Sequence, residues 1–272
     1  VDGPPRTFDE FFDLCDKLVE AGITPVGMMT GENGWTMQYW YQALVASHSD
    51  EGLAMVSESN VIDQFTSEPF RYASEQVKRI LTEYANEDAI GASYELVAAQ
   101  MLGEQVAMIA NGPWMASDYG NPDKTGDPNF QEKIGYAPFP GTPPVAIGES
   151  ETKGHGAMVA PNGEDKQLGA MLFWGLELQP EIMHGAAEEL GWYVSAYDYP
   201  QEVLDANPLV GQLNTLINEW GAETLPWHYD VWTNAVMADG ITRNMDLYAA
   251  GRVTLDEYVQ NIQEFADAVG EE

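Results

Sequence analysis

Leu102-Gly103-Glu104-Gln105-Val106-Ala107-Met108-Ile109-Ala110-Asn111-Gly112-Pro113-Trp114 is the stretch on which the reading of this 272-residue chain turns. Ser93 to Leu102, running into it, has apolar residues at helical spacing and stops at Gly103. Val106 to Ala110 is a short apolar run with the length and composition of a strand, and Asn111-Gly112-Pro113-Trp114 then turns the chain abruptly. Helix, strand and sharp turn in that order are α/β layering, and strands alternate with helices along the rest of the chain, which argues for parallel pairing.

Upstream, Thr7 and Glu10 form a capping-box pattern before Phe11, Cys15, Leu18 and Gly22, the glycine being a natural stop. Ile23 to Met29 reads as a strand, Thr30-Gly31-Glu32-Asn33-Gly34 as a loop, and Trp35 to Ser47 as a helix. Val77, Ile80, Leu81 and Tyr84 are the apolar stripe of a helix from Phe70 to Tyr84. Downstream, Asn121 to Asn129 reads as a loop, Ile134 to Phe139 as a strand, and the Pro- and Gly-rich Pro140 to Thr152 as the best linker candidate. A strand from Gly154 to Pro161 precedes helices from Asp165 to Leu178, up to Gly191, from Leu209 to Trp220 and from Trp232 to Ala250. Thr254 and Glu257 open a last helix that buries Leu255, Tyr258, Val259, Ile262, Phe265 and Val269. Four strands are too few for two complete sheets, so the sheet beneath the helices after Gly154 is expected to draw on strands outside these residues.

Asp and Glu number 44 against 11 Lys and Arg, a formal charge of -33 that repels phosphate backbones and anionic headgroups. Nucleic acid is therefore excluded as an expected partner. The acidity is spread along the chain as a solvated surface, and its self-repulsion suggests a high-salt habitat, where counterions screen it. The single cysteine, Cys15, allows no internal disulfide and reads as a core residue. No apolar run approaches the roughly 20 residues of a membrane-spanning helix. Val1-Asp2-Gly3-Pro4-Pro5 has neither region of a signal peptide, so a leader, a lipid anchor or more is expected to precede it. Asp123 and Asp127 do not match calcium-loop spacing, and no His-Glu-x-x-His, Gly-x-Ser-x-Gly or phosphate-binding Gly-Lys-Ser/Thr motif occurs, so no metal, cofactor or catalytic residue is expected.

The opening stretch resembles a characteristic segment of family 1 extracellular solute-binding proteins of ABC importers, the maltose-binding-protein-like group. The order of other segments carries the resemblance further: Pro5-Arg6-Thr7-Phe8-Asp9-Glu10-Phe11 and Gly22-Ile23-Thr24-Pro25 before it, then Gly135-Tyr136-Ala137-Pro138-Phe139-Pro140-Gly141, Gly154-His155-Gly156-Ala157-Met158-Val159, Leu225-Pro226, and Gly251, Thr254 and Glu257. It implies a periplasmic-binding-protein-like type II α/β fold of two lobes with an incomplete first lobe. Residues 1–154 would be the main part of the second lobe, 155–206 the remainder of the first and 207–272 the second lobe's C-terminal helices, with hinges near Gly154 and Pro208. It further implies a monomeric receptor outside the cytoplasmic membrane that closes on a small solute, most readily a sugar, and docks on an ABC permease.

Sugars present apolar C–H faces and a rim of hydroxyls, so their sites combine flat rings with polar side chains. Trp114 leads the candidates, because a turn after a strand places it at the strand's carboxyl end, where open α/β sheets bind ligands, and because the resemblance makes it a stacking platform. Packing within its own lobe is the bland alternative. Asn111 would orient a hydroxyl or merely form the turn. Trp232 stands where relatives carry a second stacking aromatic, or is helix core. Trp35, Tyr39 and Trp40 resemble another aromatic contact region, and Glu32 in the loop before them accepts ligand hydroxyls or is simply solvated. His155, between two glycines, is a ligand contact or a structural histidine, while Trp192 and Tyr193 sit where the first lobe would return to the cleft. A carbohydrate-active enzyme and an interaction module with an aromatic protein-binding surface are the rival classes.

Overall fold

The computed structural model describes residues 3–58, 61, 63–147, 163–194, 197–218, 221–226, 231–233 and 235–270. Two compact units share the chain: unit 1 comprises Val1–Asn111, Pro138–Ser150 and Ala222–Glu272, and unit 2 comprises Gly112–Ala137 and Glu151–Gly221.

Helix α1 (Phe8–Glu20) starts where Thr7 accepts a hydrogen bond from the Glu10 N–H at 3.2 Å. The reciprocal half of the box is shifted by one residue, since the Glu10 carboxylate takes the Arg6 N–H at 2.7 Å. Gly22, at φ 77°, turns the chain out of the helix as expected. Cys15 is fully buried, and its thiol is pushed up to about 12, chiefly by burial and further by the charge of Asp16, which leaves it chemically inert.

Strand β1 (Thr24–Gly27) is shorter than the apolar run Ile23 to Met29 because side-chain bonding takes over at its end: the Met28 N–H donates to Asn86 Oδ1 at 2.8 Å. Helix α2 (Trp35–His48) is buried on nearly every side, and such a helix must find partners for its polar groups. Gln38 Nε2 donates to Thr242 Oγ1 at 3.0 Å, Gln42 Nε2 donates to the Pro226 carbonyl at 2.6 Å, and the Tyr41 and Tyr258 hydroxyls meet at 2.6 Å. These bonds tie the C-terminal segments of unit 1 to its N-terminal part. Helix α3 (Asp50–Ser57) follows, then α4 (Glu68–Arg79), which runs into a π-helical turn, Ile80–Tyr84, that buries Ile80, Leu81 and Tyr84. Helix α5 (Tyr94–Leu102), capped by Ser93, leads to β2 (Val106–Ile109). Strand β2 pairs with β1 in parallel, Thr24 opposite Val106 and Gly27 opposite Ile109.

In unit 2 a 3₁₀ turn (Pro113–Met115) precedes α6 (Ala116–Tyr119) and α7 (Pro122–Thr125). The expected loop over Asn121 to Asn129 thus contains one helical turn, started by Asn121, whose side chain accepts the Asp123 N–H. The strand expected over Ile134 to Phe139 is replaced by non-sheet backbone. The Tyr136 N–H donates to Gln212 Oε1 at 2.9 Å, and only Phe139, in unit 1, makes a bridge, antiparallel to Val145. Within the expected linker Pro140 to Thr152 lies β3 (Val145–Ile147), whose three residues are too few to show a period.

Helices α8 (Glu164–Glu177), α9 (Pro180–Leu190), α10 (Gln201–Ala206) and α11 (Pro208–Asn218) complete unit 2. Back in unit 1, β4 (Glu223–Leu225) pairs with β3 in parallel, and a π-helical segment (Val236–Thr242) runs into α12 (Arg243–Ala249). Helix α13 (Leu255–Gly270) opens on the expected box, the Glu257 carboxylate taking the Thr254 N–H at 2.8 Å and Thr254 Oγ1 taking the Glu257 N–H at 3.2 Å. The expected strand Gly154 to Pro161 lies outside the described residues. Among the described residues no helix is long and apolar enough to cross a membrane, and no group of three or more His, Cys, Asp or Glu side chains is placed to hold a metal.

Candidate ligand-binding site

Parallel strands deliver their loops at their carboxyl ends, and in unit 1 the segments leaving β1 and β2 bring polar and aromatic candidates together. After β1 the chain passes through Thr30 to Gly34 into Trp35 at the start of α2, and after β2 it reaches Asn111. The first of these loops is held against the segment before α5: the Thr30 N–H donates to the Ala89 carbonyl at 3.0 Å, the Gly31 N–H to the Ala92 carbonyl at 2.9 Å, and the Gly91 N–H to Thr30 Oγ1 at 2.9 Å. Glu32 sits at φ 61°, in the left-handed region that costs a side-chain-bearing residue on the order of 1 kcal/mol. Its carboxylate accepts the Tyr94 N–H at 3.2 Å, so its charge faces the N-terminus of α5, where the helix dipole favours an anion.

Tyr94 is the residue that joins the cluster. Its ring centroid lies 5.0 Å from that of Trp35 at 45°, and its hydroxyl accepts a hydrogen bond from Asn111 Nδ2 at 3.3 Å. Trp35 in turn stands edge-on to Tyr39, 5.7 Å away at 86°. Tyr39 is buried, whereas Trp35, Tyr94 and Asn111 remain partly exposed. Four predicted residues, Glu32, Trp35, Tyr39 and Asn111, therefore share one cluster with a fifth that sequence reasoning passed over. Tyr94 left no signal, because it stands at the first position of an ordinary amphipathic helix.

Trp40 and Trp232 do not belong to this cluster. Trp40 packs against Phe11 and Phe139, each at 5.0 Å between centroids, and Trp232 has no exposed surface and lies edge-on to Phe70 at 6.5 Å. Rings buried in this way offer no face to a ligand, and both act as core side chains here.

In unit 2, Trp114 is 44% exposed and its indole folds back over its own turn. A Cβ on Gly112 would lie 2.2 Å from the Trp114 ring, so only glycine at 112 permits this ring position. Trp192 is exposed, while Tyr193 is half-buried and stacks on Tyr199 at 5.1 Å and 28°, its hydroxyl donating to Asn214 Oδ1 at 3.4 Å. Burial, with Tyr199 beside it, pushes the Tyr193 hydroxyl up to about 12, which keeps it a neutral hydrogen-bonding group. His155 lies outside the described residues.

The family model of the bacterial extracellular solute-binding protein matches residues 1–174, well over half of the chain. The chain belongs to that family. Solved structures agree with this at the level of fold. A chitin oligosaccharide binding protein is 18% identical over 99% of this chain and 66% of its own, with a TM-score of 0.76. A Streptococcus pneumoniae solute-binding protein in complex with the blood group A-trisaccharide is 18% identical over 95% of this chain and 63% of its own, with a TM-score of 0.73. The solute-binding protein RafE in complex with raffinose is 20% identical over 98% and 66%, with a TM-score of 0.66. The chain thus spans less than two thirds of the length of these structures and has the expected periplasmic-binding-protein-like α/β fold. No curated protein matches it in sequence. The family and these neighbours are named as binding proteins.

Proposed function

We propose that this chain is the greater part of an extracytoplasmic receptor that binds a neutral carbohydrate and delivers it to an ABC import permease, without catalysis. The observation that carries the reading is the Trp35, Tyr94 and Asn111 cluster at the carboxyl ends of β1 and β2, where a flat ring adjoins an amide and a phenol. That combination suits the C–H face and hydroxyl rim of a sugar. Among the described residues no Lys or Arg belongs to it, and its carboxylate, Glu32, faces the N-terminus of α5, which favours a neutral solute over a phosphorylated one. The solutes named for the structural neighbours, chitin oligosaccharide, the blood group A-trisaccharide and raffinose, support the class.

In this reading residues 1–154 and 207–272 form one lobe, 155–206 belong to the other, and the lobes close about crossings near Gly154 and Pro208. Trp114, exposed and held by its own turn in unit 2, is a stacking ring in this reading. The test is a thermal-shift panel on the full-length receptor with maltose, raffinose and chitin oligosaccharides beside amino acids and sugar phosphates. At least one neutral saccharide is expected to stabilise the protein, and Trp114→Ala to weaken its binding about 10-fold or more. A response confined to amino acids or phosphates would overturn the reading.

A further inference from the structure

We infer that Thr242, at the end of the π-helical segment of unit 1, is a positioning residue that holds the loop carrying Glu32 and leading into Trp35; its effect on sugar affinity rests on the carbohydrate reading above. Thr242 is buried, and its hydroxyl is used twice. It donates to the Asn33 carbonyl at 3.0 Å and accepts from Gln38 Nε2 at 3.0 Å. The first bond ends in the loop and the second in the opening turns of α2, so one side chain, distant in sequence, spans the start of that helix. Gly34 lies between the two bonds at φ 62°, and a Cβ there would stand 2.7 Å from Thr242 Oγ1 and 2.8 Å from its Cγ2. The residue before Trp35 is thus packed directly on Thr242, at a contact that only glycine permits.

The loop needs such a hold. Glu32 and Gly34 are both left-handed, and a left-handed glutamate persists only where its surroundings over-determine it. On one side the segment before α5 does this through the bonds from the Thr30 and Gly31 N–H groups. Gly31 runs so close to that segment that a Cβ on it would come within 2.3 Å of the Ala92 carbonyl oxygen. On the other side the hold is Thr242, joined one helical turn later by Asp246, whose carboxylate takes a hydrogen bond from Thr30. π-helical turns recur at functional sites, and this one ends on the residue that grips the loop. A loop fixed from both sides has little freedom left to lose when a solute binds.

Two measurements on the full-length receptor test this, comparing wild type with three variants. Thr242→Val keeps the shape and loses the hydroxyl, Thr242→Ser keeps the hydroxyl, and Phe65→Leu loosens the same core beside Phe70, away from the loop. Hydrogen–deuterium exchange needs no ligand. The peptide covering Gly31 to Trp35 is expected to exchange about 5-fold faster or more in Thr242→Val, and within twofold of wild type in Thr242→Ser and in Phe65→Leu, although the last lowers Tm. Calorimetric titration with maltotriose, raffinose and chitotriose, at a temperature where every variant is folded, should show the recognised sugar bound about 5- to 20-fold more weakly by Thr242→Val alone. Unchanged loop exchange in Thr242→Val would overturn the positioning, and so would equal acceleration in Phe65→Leu, since general looseness of the core would then explain it. Faster exchange with sugar affinity within twofold of wild type would overturn the role in binding and leave the carbohydrate reading intact. A wild type that binds no saccharide of the panel would overturn the carbohydrate reading and that role with it.

Discussion

Units 1 and 2 spend similar apolar side chains in opposite ways. In unit 1, Trp232, Tyr41, Tyr258, Phe11 and Phe70 are fully buried in one continuous core, with the polar ends of α2 hydrogen-bonded inside it. In unit 2, α8 buries none of its residues: Met171 is 64% and Leu172 66% exposed, and Leu168, Phe173 and Leu176 are also exposed. What unit 2 buries is gathered in small groups, Ala187 with Val203 and Val210, and Tyr119 with Phe130 and Met115. Composition thus does not decide burial. An apolar helix becomes core only when other elements supply the opposite wall, and unit 1 has α2, α4, α12 and α13 for that purpose.

The largest test of this contrast is Trp232→Ala. Removing a fully enclosed indole should cost unit 1 about 3–5 kcal/mol, seen in urea as an early transition while unit 2 signals stay in place. Transitions that move together would show that the units unfold as one block and would break the comparison. The acidic surface acts on both units at once, so molar KCl should raise both transitions, by less than the shift Trp232→Ala causes in one. No gain with salt would remove the high-salt adaptation inferred from the charge.

A smaller effect, within unit 1, concerns Asp246. Burial raises its carboxyl above the usual range, a hydrogen bond from Thr30 offsets part of that, and its Oδ1 is buried without a partner. A raised folded-state value means that the protonated form suits the fold. The contribution is therefore fully present below the unfolded-state value and lost as pH rises through the folded one. Asp246→Asn should stabilise unit 1 at neutral pH by roughly 1 kcal/mol, and the gain should vanish in acid. A gain that persists at low pH would assign the effect to shape instead of charge. Smallest of all, Phe173→Ser on α8 should change the stability of this chain by less than about 0.5 kcal/mol, the range of exposed positions. A cost of several kcal/mol would show a core in unit 2 comparable to that of unit 1.

Helix starts and stops were legible because they depend on neighbours within three or four residues. Thr7 with Glu10, Ser93, Thr254 with Glu257, and Gly22 act locally and stand where the pattern places them. The family, too, was legible, from the order of short segments around Asn111-Gly112-Pro113-Trp114. Strand β3 was not, because three residues inside a Pro- and Gly-rich crossing gain strand character only by pairing with Glu223–Leu225, far away in sequence.

The sequence by itself determined the α/β class, since alternation and caps are properties of local chemistry, while the order of short motifs carried the resemblance to the family that the family model then showed. Only the tertiary structure decided which tryptophans are walls and which are surfaces. Trp40 and Trp232 carry the same indole as Trp35 and Trp114, and they differ in what distant segments lay against them, Phe139 and Phe70 in the buried pair. Tyr94 entered the site for the same reason: the loops after β1 and β2 converge on it, and convergence in space has no period along the chain.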